Sequence, residues 1–82
     1  MILAKVCGKI ISTKKIQSLM GYPLLLLESS GGDTLVAVDV IGAGEGDWVL
    51  VSQGQPVRLG IDKDAPIDAL IVGIADSDPF KR

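Results

Sequence analysis

Five stretches of this sequence read as strands, three by alternation of side chains and two as short, nearly continuous apolar runs, and clusters of Gly, Pro, Ser and Asp divide them. The first stretch runs from Ile2 to Ile11. An extended chain points successive side chains to opposite sides, so Ile2, Ala4, Val6, Gly8 and Ile10 share one face while Leu3, Lys5, Cys7, Lys9 and Ile11 share the other. The lysines mark the second face as solvent-facing, and the first reads as core. Gly8 leaves two readings open: a bulge or sharp bend where a small sheet coils, or a place where another backbone comes close. Ser12 to Pro23 contains Thr13, Lys14, Lys15 and Gly21 without sustained periodicity and reads as a connection.

Leu24 to Glu28 begins with four consecutive leucines, which suits a strand covered on both sides, by the barrel interior and by either a neighbouring subunit or an overlying loop. Leucine also favours helices. Pro23 and the turn Ser29-Ser30-Gly31-Gly32-Asp33, however, leave room for hardly more than one helical turn. Thr34 to Ile41 alternates, with Leu35, Ala37 and Asp39 on one side and Val36, Val38 and Val40 on the other, and pairs naturally with the leucine strand across the Ser-Gly turn. Asp47 to Gln53 places Trp48, Leu50 and Ser52 opposite Val49 and Val51. Gly54 to Pro66 is a long loop with room for a single helical turn. Ala69 to Ala75 is a nearly all-apolar last strand.

This pattern predicts an all-β fold: a small five-stranded OB-like barrel with irregular loops and at most one short helix. The barrel is expected over residues 1–76, with 77–82 as a polar C-terminal tail in which Phe80 is the apolar exception. Closing the sheet would hide its edges, and any part left open can pair with another copy.

Composition adds a constraint. A chain of 82 residues builds only a modest core. One cysteine and no histidine make a disulfide framework or structural metal site hard to assemble, so association is the remaining way to bury more apolar surface. The formal charge of −2 carries no signature of a nucleic-acid or anionic-membrane binder. A lone Cys7 fits a reducing compartment. Lys5 comes too early for a signal-peptide core, and no apolar run approaches membrane-spanning length. A soluble cytoplasmic protein is expected, acting with neither membrane nor nucleic acid.

Catalytic chemistry has little to work with. Without histidine there is no Ser-His-Asp or Cys-His arrangement, and Cys7 lies in a predicted strand with no imidazole to activate it. Asp62, Asp64 and Asp68 resemble an oxygen-rich cation loop only loosely, lacking its central glycine and final glutamate. In Val40-Ile41-Gly42-Ala43-Gly44-Glu45-Gly46-Asp47 the glycines stand first, third and fifth, whereas a dinucleotide fingerprint needs first, third and sixth, followed by a helix. Lys5, Lys9, Lys14 and Lys15 could form a basic patch, but only Trp48 and Tyr22 are available within the barrel to stack bases on it. No catalytic residue, cofactor or metal is expected.

The stretch from Val36 through Gly42-Ala43-Gly44-Glu45-Gly46-Asp47-Trp48 to Val51 resembles the hallmark segment of the EutN/CcmL family of bacterial microcompartment vertex proteins, found in carboxysome and ethanolamine-utilisation shells. Ala4-Lys5-Val6 with Gly8, Thr13-Lys14-Lys15, Leu19 through Leu27, and Asp68 through Asp76 extend the resemblance in order over nearly the whole chain. The short Ser29–Asp33 turn and the run Gly54-Gln55-Pro56-Val57-Arg58 depart from many relatives. The resemblance implies a structural shell subunit, an OB-like barrel forming a cyclic homopentamer at the vertices, with a hexameric ring as the alternative and hexameric facet proteins as partners.

On that reading the candidate interface or close-packing residues are Leu24, Leu25, Leu26, Leu27, Gly42, Ala43, Gly44 and Gly46, joined by the last strand, while Arg58, Asp62 and Lys63 are candidate contacts to facet proteins. The competing reading is an OB-like module that binds single-stranded nucleic acid or a small ligand.

Overall fold

The structure is a computed structural model and describes residues 1–11, 14, 15, 19, 21–54 and 68–79. Its five strands are β1 (Ile2–Ile10), β2 (Leu24–Ser29), β3 (Thr34–Asp39), β4 (Trp48–Gln53) and β5 (Ala69–Ile74). Each occupies one of the five stretches that the sequence marks as strands. They close a barrel in the order β1-β2-β3-β5-β4, the small OB-like barrel that the pattern predicts.

The long β1 makes closure feasible, because it pairs with β2 along one edge and β4 along the other. Ala4 faces both Ser29 and Val49, and Lys5 faces both Glu28 and Trp48. All neighbouring strands are antiparallel except β3 and β5, which meet in parallel over only Val38–Leu70 and Asp39–Ile71. This short seam is where the cylinder closes.

Two extra residues bend the strands. On β1, Val6 pairs with Leu27 but Gly8 pairs with Leu26, so Cys7 is a bulged residue. On β5, Ile71 pairs with Val51 and Gly73 with Leu50, leaving Val72 extra. Each bulge adds local twist and helps a short sheet curl on itself.

The bulge reading of Gly8 therefore describes the chain, and it corrects the expected core face of β1. Inserting one residue reverses the alternation beyond it. Ala4 and Val6 point inward and are buried, and Ile2 packs against the core, but Gly8 and Ile10 sit opposite Leu26 and Leu24 on the outer side.

The interior is aliphatic. Ala4, Val6, Leu25, Leu27, Ala37, Val49, Val51, Ala69 and Ile71 form one buried cluster. A smaller cluster lies outside the barrel wall, where Val38 and Leu70 are buried with Tyr22 and Leu24 packed against them. These two clusters explain the leucine run: Leu25 and Leu27 fill the barrel, while Leu24 is covered by the connection that carries Tyr22 and Leu26 is left half-buried. β3 ends at Asp39, two residues before the apolar pattern does, because the Asp39 side chain turns the backbone there.

Leu27→Ala, which empties a fully enclosed position, is expected to destabilise the subunit by about 3 kcal/mol, and Leu26→Ala by no more than about 1 kcal/mol. Urea unfolding of the dissociated subunit checks this, and equal costs would refute the inward and outward assignments.

Candidate assembly surface

The segment between β3 and β4 is held by carboxylates. Asp39 is only 5% exposed. Its Oδ1 accepts the backbone N–H groups of Ile41 at 3.0 Å and Gly42 at 3.1 Å, and its Oδ2 accepts that of Ala43 at 2.8 Å. Further along, Asp47 Oδ2 accepts the Gly44 N–H at 2.8 Å, while the Asp47 N–H donates to the Gly44 carbonyl at 3.0 Å. The far end is tied to β1: Gly46 donates to the Val6 carbonyl and Val6 donates to the Asp47 carbonyl, both at 2.9 Å.

Glycine is required at two of these positions. Gly42 and Gly46 have φ of 88° and 90°, a left-handed backbone that side chains with a Cβ disfavour. Gly44 differs. Its φ is not in that region, and an added Cβ would meet nothing nearer than Asp47 Oδ2, at 3.7 Å, an ordinary contact. Within the subunit, nothing requires position 44 to lack a side chain.

The loop also displays apolar surface. Ala43 packs back on the barrel core, whereas Val40 and Ile41 are 47% and 45% exposed. On the barrel wall, Val36, Leu50 and Val72 are exposed as well, from β3, β4 and β5. Strand β5 read as nearly all apolar; the barrel buries Ala69, Leu70 and Ile71, leaves Val72 exposed at the bulge, and turns Ile74 to the side of its partner Val49 at the strand end, where it is 38% exposed.

The expected interface residues thus separate. Leu25 and Leu27 lie in the barrel interior and can support a contact surface only from behind. Leu24 and Leu26 face outward, and Gly42, Ala43, Gly44 and Gly46 all belong to the carboxylate-held loop. Arg58, Asp62 and Lys63 lie outside the described residues. The structure also brings forward Asp39, Val40, Ile41 and Leu50, which the sequence reading did not single out, and within the last strand it separates the exposed Val72 from the buried Ala69, Leu70 and Ile71. The available signal for Asp39 was a lone charge on the inward side of an otherwise apolar alternation.

Other surface features are small. Lys5 lies over the Trp48 ring, its Nζ 5.8 Å from the centroid, at the edge of an open groove of about 470 Å³ shared with Cys7, Glu28 and the Ser29–Gly32 turn. Lys15, a member of the supposed basic patch, donates to the Tyr22 carbonyl at 3.1 Å and holds the connection onto the outer cluster. Among the described residues, no group of three or more His, Cys, Asp or Glu side chains gathers to hold a metal ion.

The class that this architecture defines is the small OB-like barrel with aliphatic side chains displayed on its outside. Residues 1–76 match the family described as ethanolamine utilisation protein EutN/carboxysome. The chain is 44% identical over 82 residues to the carboxysome shell vertex protein CcmL of Thermosynechococcus vestitus, covering 92% of this chain and 83% of that protein. It is 43% identical over 84 residues to the bacterial microcompartment shell vertex protein GrpN of Rhodospirillum rubrum, covering 94% of each. The solved structure of the GrpN pentameric microcompartment shell protein superimposes with a TM-score of 0.84 at 41% identity, over 94% of this chain and 95% of that one. The chain belongs to the EutN/CcmL family.

Gly42→Ala and Gly46→Ala are each expected to destabilise the isolated subunit by about 1–2 kcal/mol through their left-handed backbone, whereas Gly44→Ala changes it by less than about 0.5 kcal/mol. Denaturant melts of the three variants test this difference, and an equal loss at position 44 would contradict it.

Proposed function

We propose that this chain is a structural subunit of a bacterial microcompartment shell, and that five copies close a ring at each vertex. The observation that carries the proposal is the match over nearly the full chain to a relative solved as a pentameric shell protein. The exposed valines, isoleucine and leucine of the loop, β3, β4 and β5 give the physical support. A cyclic ring uses two different patches on each subunit, meeting head to tail. Removing on the order of 500 Å² of apolar surface per subunit gives a gross hydrophobic term of roughly 12 kcal/mol, before the loss of motion is subtracted.

The function is geometric. Flat hexameric facet proteins tile a plane, and a closed polyhedron needs fivefold points, so a wedge-shaped ring supplies curvature. The protein works without catalysis or cofactor, inside the cell, in contact with copies of itself and with the facet proteins. Leu24, Leu26, the Gly42–Gly46 loop and β5 are the proposed contact surface, with Leu25 and Leu27 supporting it from within. Arg58, Asp62 and Lys63 are proposed contacts at the rim.

Native mass spectrometry of the purified chain is expected to give a five-subunit mass; a monomer at every concentration would overturn the proposal. Gly44→Val is expected to hinder the ring while leaving the barrel folded, because any clash arises with a neighbouring chain. Val72→Asp, which places a charge on the displayed face, is expected to do the same. An undisturbed ring in both variants would remove the loop and β5 from the interface.

A further inference from the structure

Asp39 is the only polar or charged residue that is buried among the described ones. Removing a carboxylate from water is unfavourable unless its oxygens are supplied with donors. Here its three donors are backbone N–H groups of the consecutive residues Ile41, Gly42 and Ala43, at 2.8–3.1 Å. The carboxylate therefore acts as an internal template for one short piece of backbone, and a fully supplied polar group of this kind fixes a single geometry.

The templated piece has two anchors and one displayed tip. Ala43 rests on the barrel core, and Gly46 and Asp47 are bonded to Val6. Between β3 and these anchors stand Val40 and Ile41, adjacent, β-branched and nearly half exposed. Branching at Cβ restricts their side-chain rotation, so backbone and side chains of the tip are both ordered before any contact forms. Such ordering in advance reduces the cost of association.

The area available favours another copy of the chain as the occupant. Two ring interfaces of standard size take about 1,600 Å² from each subunit, nearly a third of a surface of 5371 Å². The ring must therefore cover much of the apolar surface that the barrel displays.

We infer that Asp39 is the positioning residue for assembly: its carboxylate pre-forms Val40 and Ile41 as a rigid apolar tip that the adjacent copy in the ring receives. This rests on the ring proposed above. The carboxylate serves the interface more than the barrel, because the groups it holds belong to the loop and not to the strands.

Asp39→Asn tests the template. It keeps the size of the side chain but exchanges one oxygen for a donor, so either Ala43 or the Ile41–Gly42 pair loses its acceptor. Val40→Ser with Ile41→Ser tests the tip and leaves the template in place. Native mass spectrometry over a dilution series reads ring formation, and amide hydrogen exchange reads the loop and barrel separately.

In the wild-type chain, diluted until the ring dissociates, the Ile41, Gly42 and Ala43 amides are expected to stay protected. In Asp39→Asn their exchange accelerates while amides of β1 and β4 keep their protection, and the concentration for half-assembly rises about tenfold or more. The double serine variant keeps the loop protected and shows a similar rise. The inference is overturned if Asp39→Asn assembles as tightly as wild type, if the loop amides of the dissociated wild-type subunit are unprotected, or if the double serine variant assembles normally. This last measurement decides the matter even where Asp39→Asn loses its barrel. A wild-type chain that never forms a ring overturns the ring proposal itself, which is distinct from a wild-type ring that is indifferent to these substitutions.

Discussion

The size of the barrel interior limits everything else in this protein. Five short strands enclose a narrow cylinder, and only one side of each can look into it. The residues that fill it are small or aliphatic, with Leu27, Ile71, Val49 and Val51 among the largest that are fully enclosed. The chain is richer in apolar residues than that volume can accept. The surplus is distributed over the outside, partly under the connection that brings Tyr22 and Leu24 against Val38 and Leu70, and partly in open view on β3, β4, β5 and the glycine loop.

Polar groups complete what the core leaves undone. Where hydrophobic packing runs out at the end of β3, two aspartates shape the backbone instead, one buried and one nearer the surface. Lys15 does a similar service for the connection by bonding a carbonyl. A fold of this size thus divides its labour: aliphatic side chains hold the cylinder, and charged groups hold the loops that leave it. That division suits a subunit whose shape is its function, because the surface offered to neighbours is as well defined as the interior.

Much of this was legible in the sequence. Period-two alternation located β1, β3 and β4, and short apolar runs bounded by turn residues located β2 and β5, with the four leucines announcing a strand covered on both sides. Gly8 signalled the bulge. What alternation could not convey was its consequence, since one inserted residue at Cys7 moves Gly8 and Ile10 to the opposite face without changing a letter of the pattern. Closure order was equally hidden, because the two-residue seam of β3 with β5 depends on tertiary pairing and not on local preference. In the loop, glycines drew attention and Asp39 did not, although the glycines only permit the conformation that its carboxylate enforces. The uniform apolar character of β5 concealed which of its residues face outward, a matter settled by the extra residue at Val72.

The pairing of Lys5 with the indole of Trp48 has an optical consequence. The chain contains one tryptophan, and it stands on the outer wall next to Asp47, where the glycine loop enters β4. Its fluorescence therefore comes from a single place, beside a cation and at the border between barrel and loop. Nature has left this small protein with an intrinsic lamp whose colour and brightness respond to what approaches that wall.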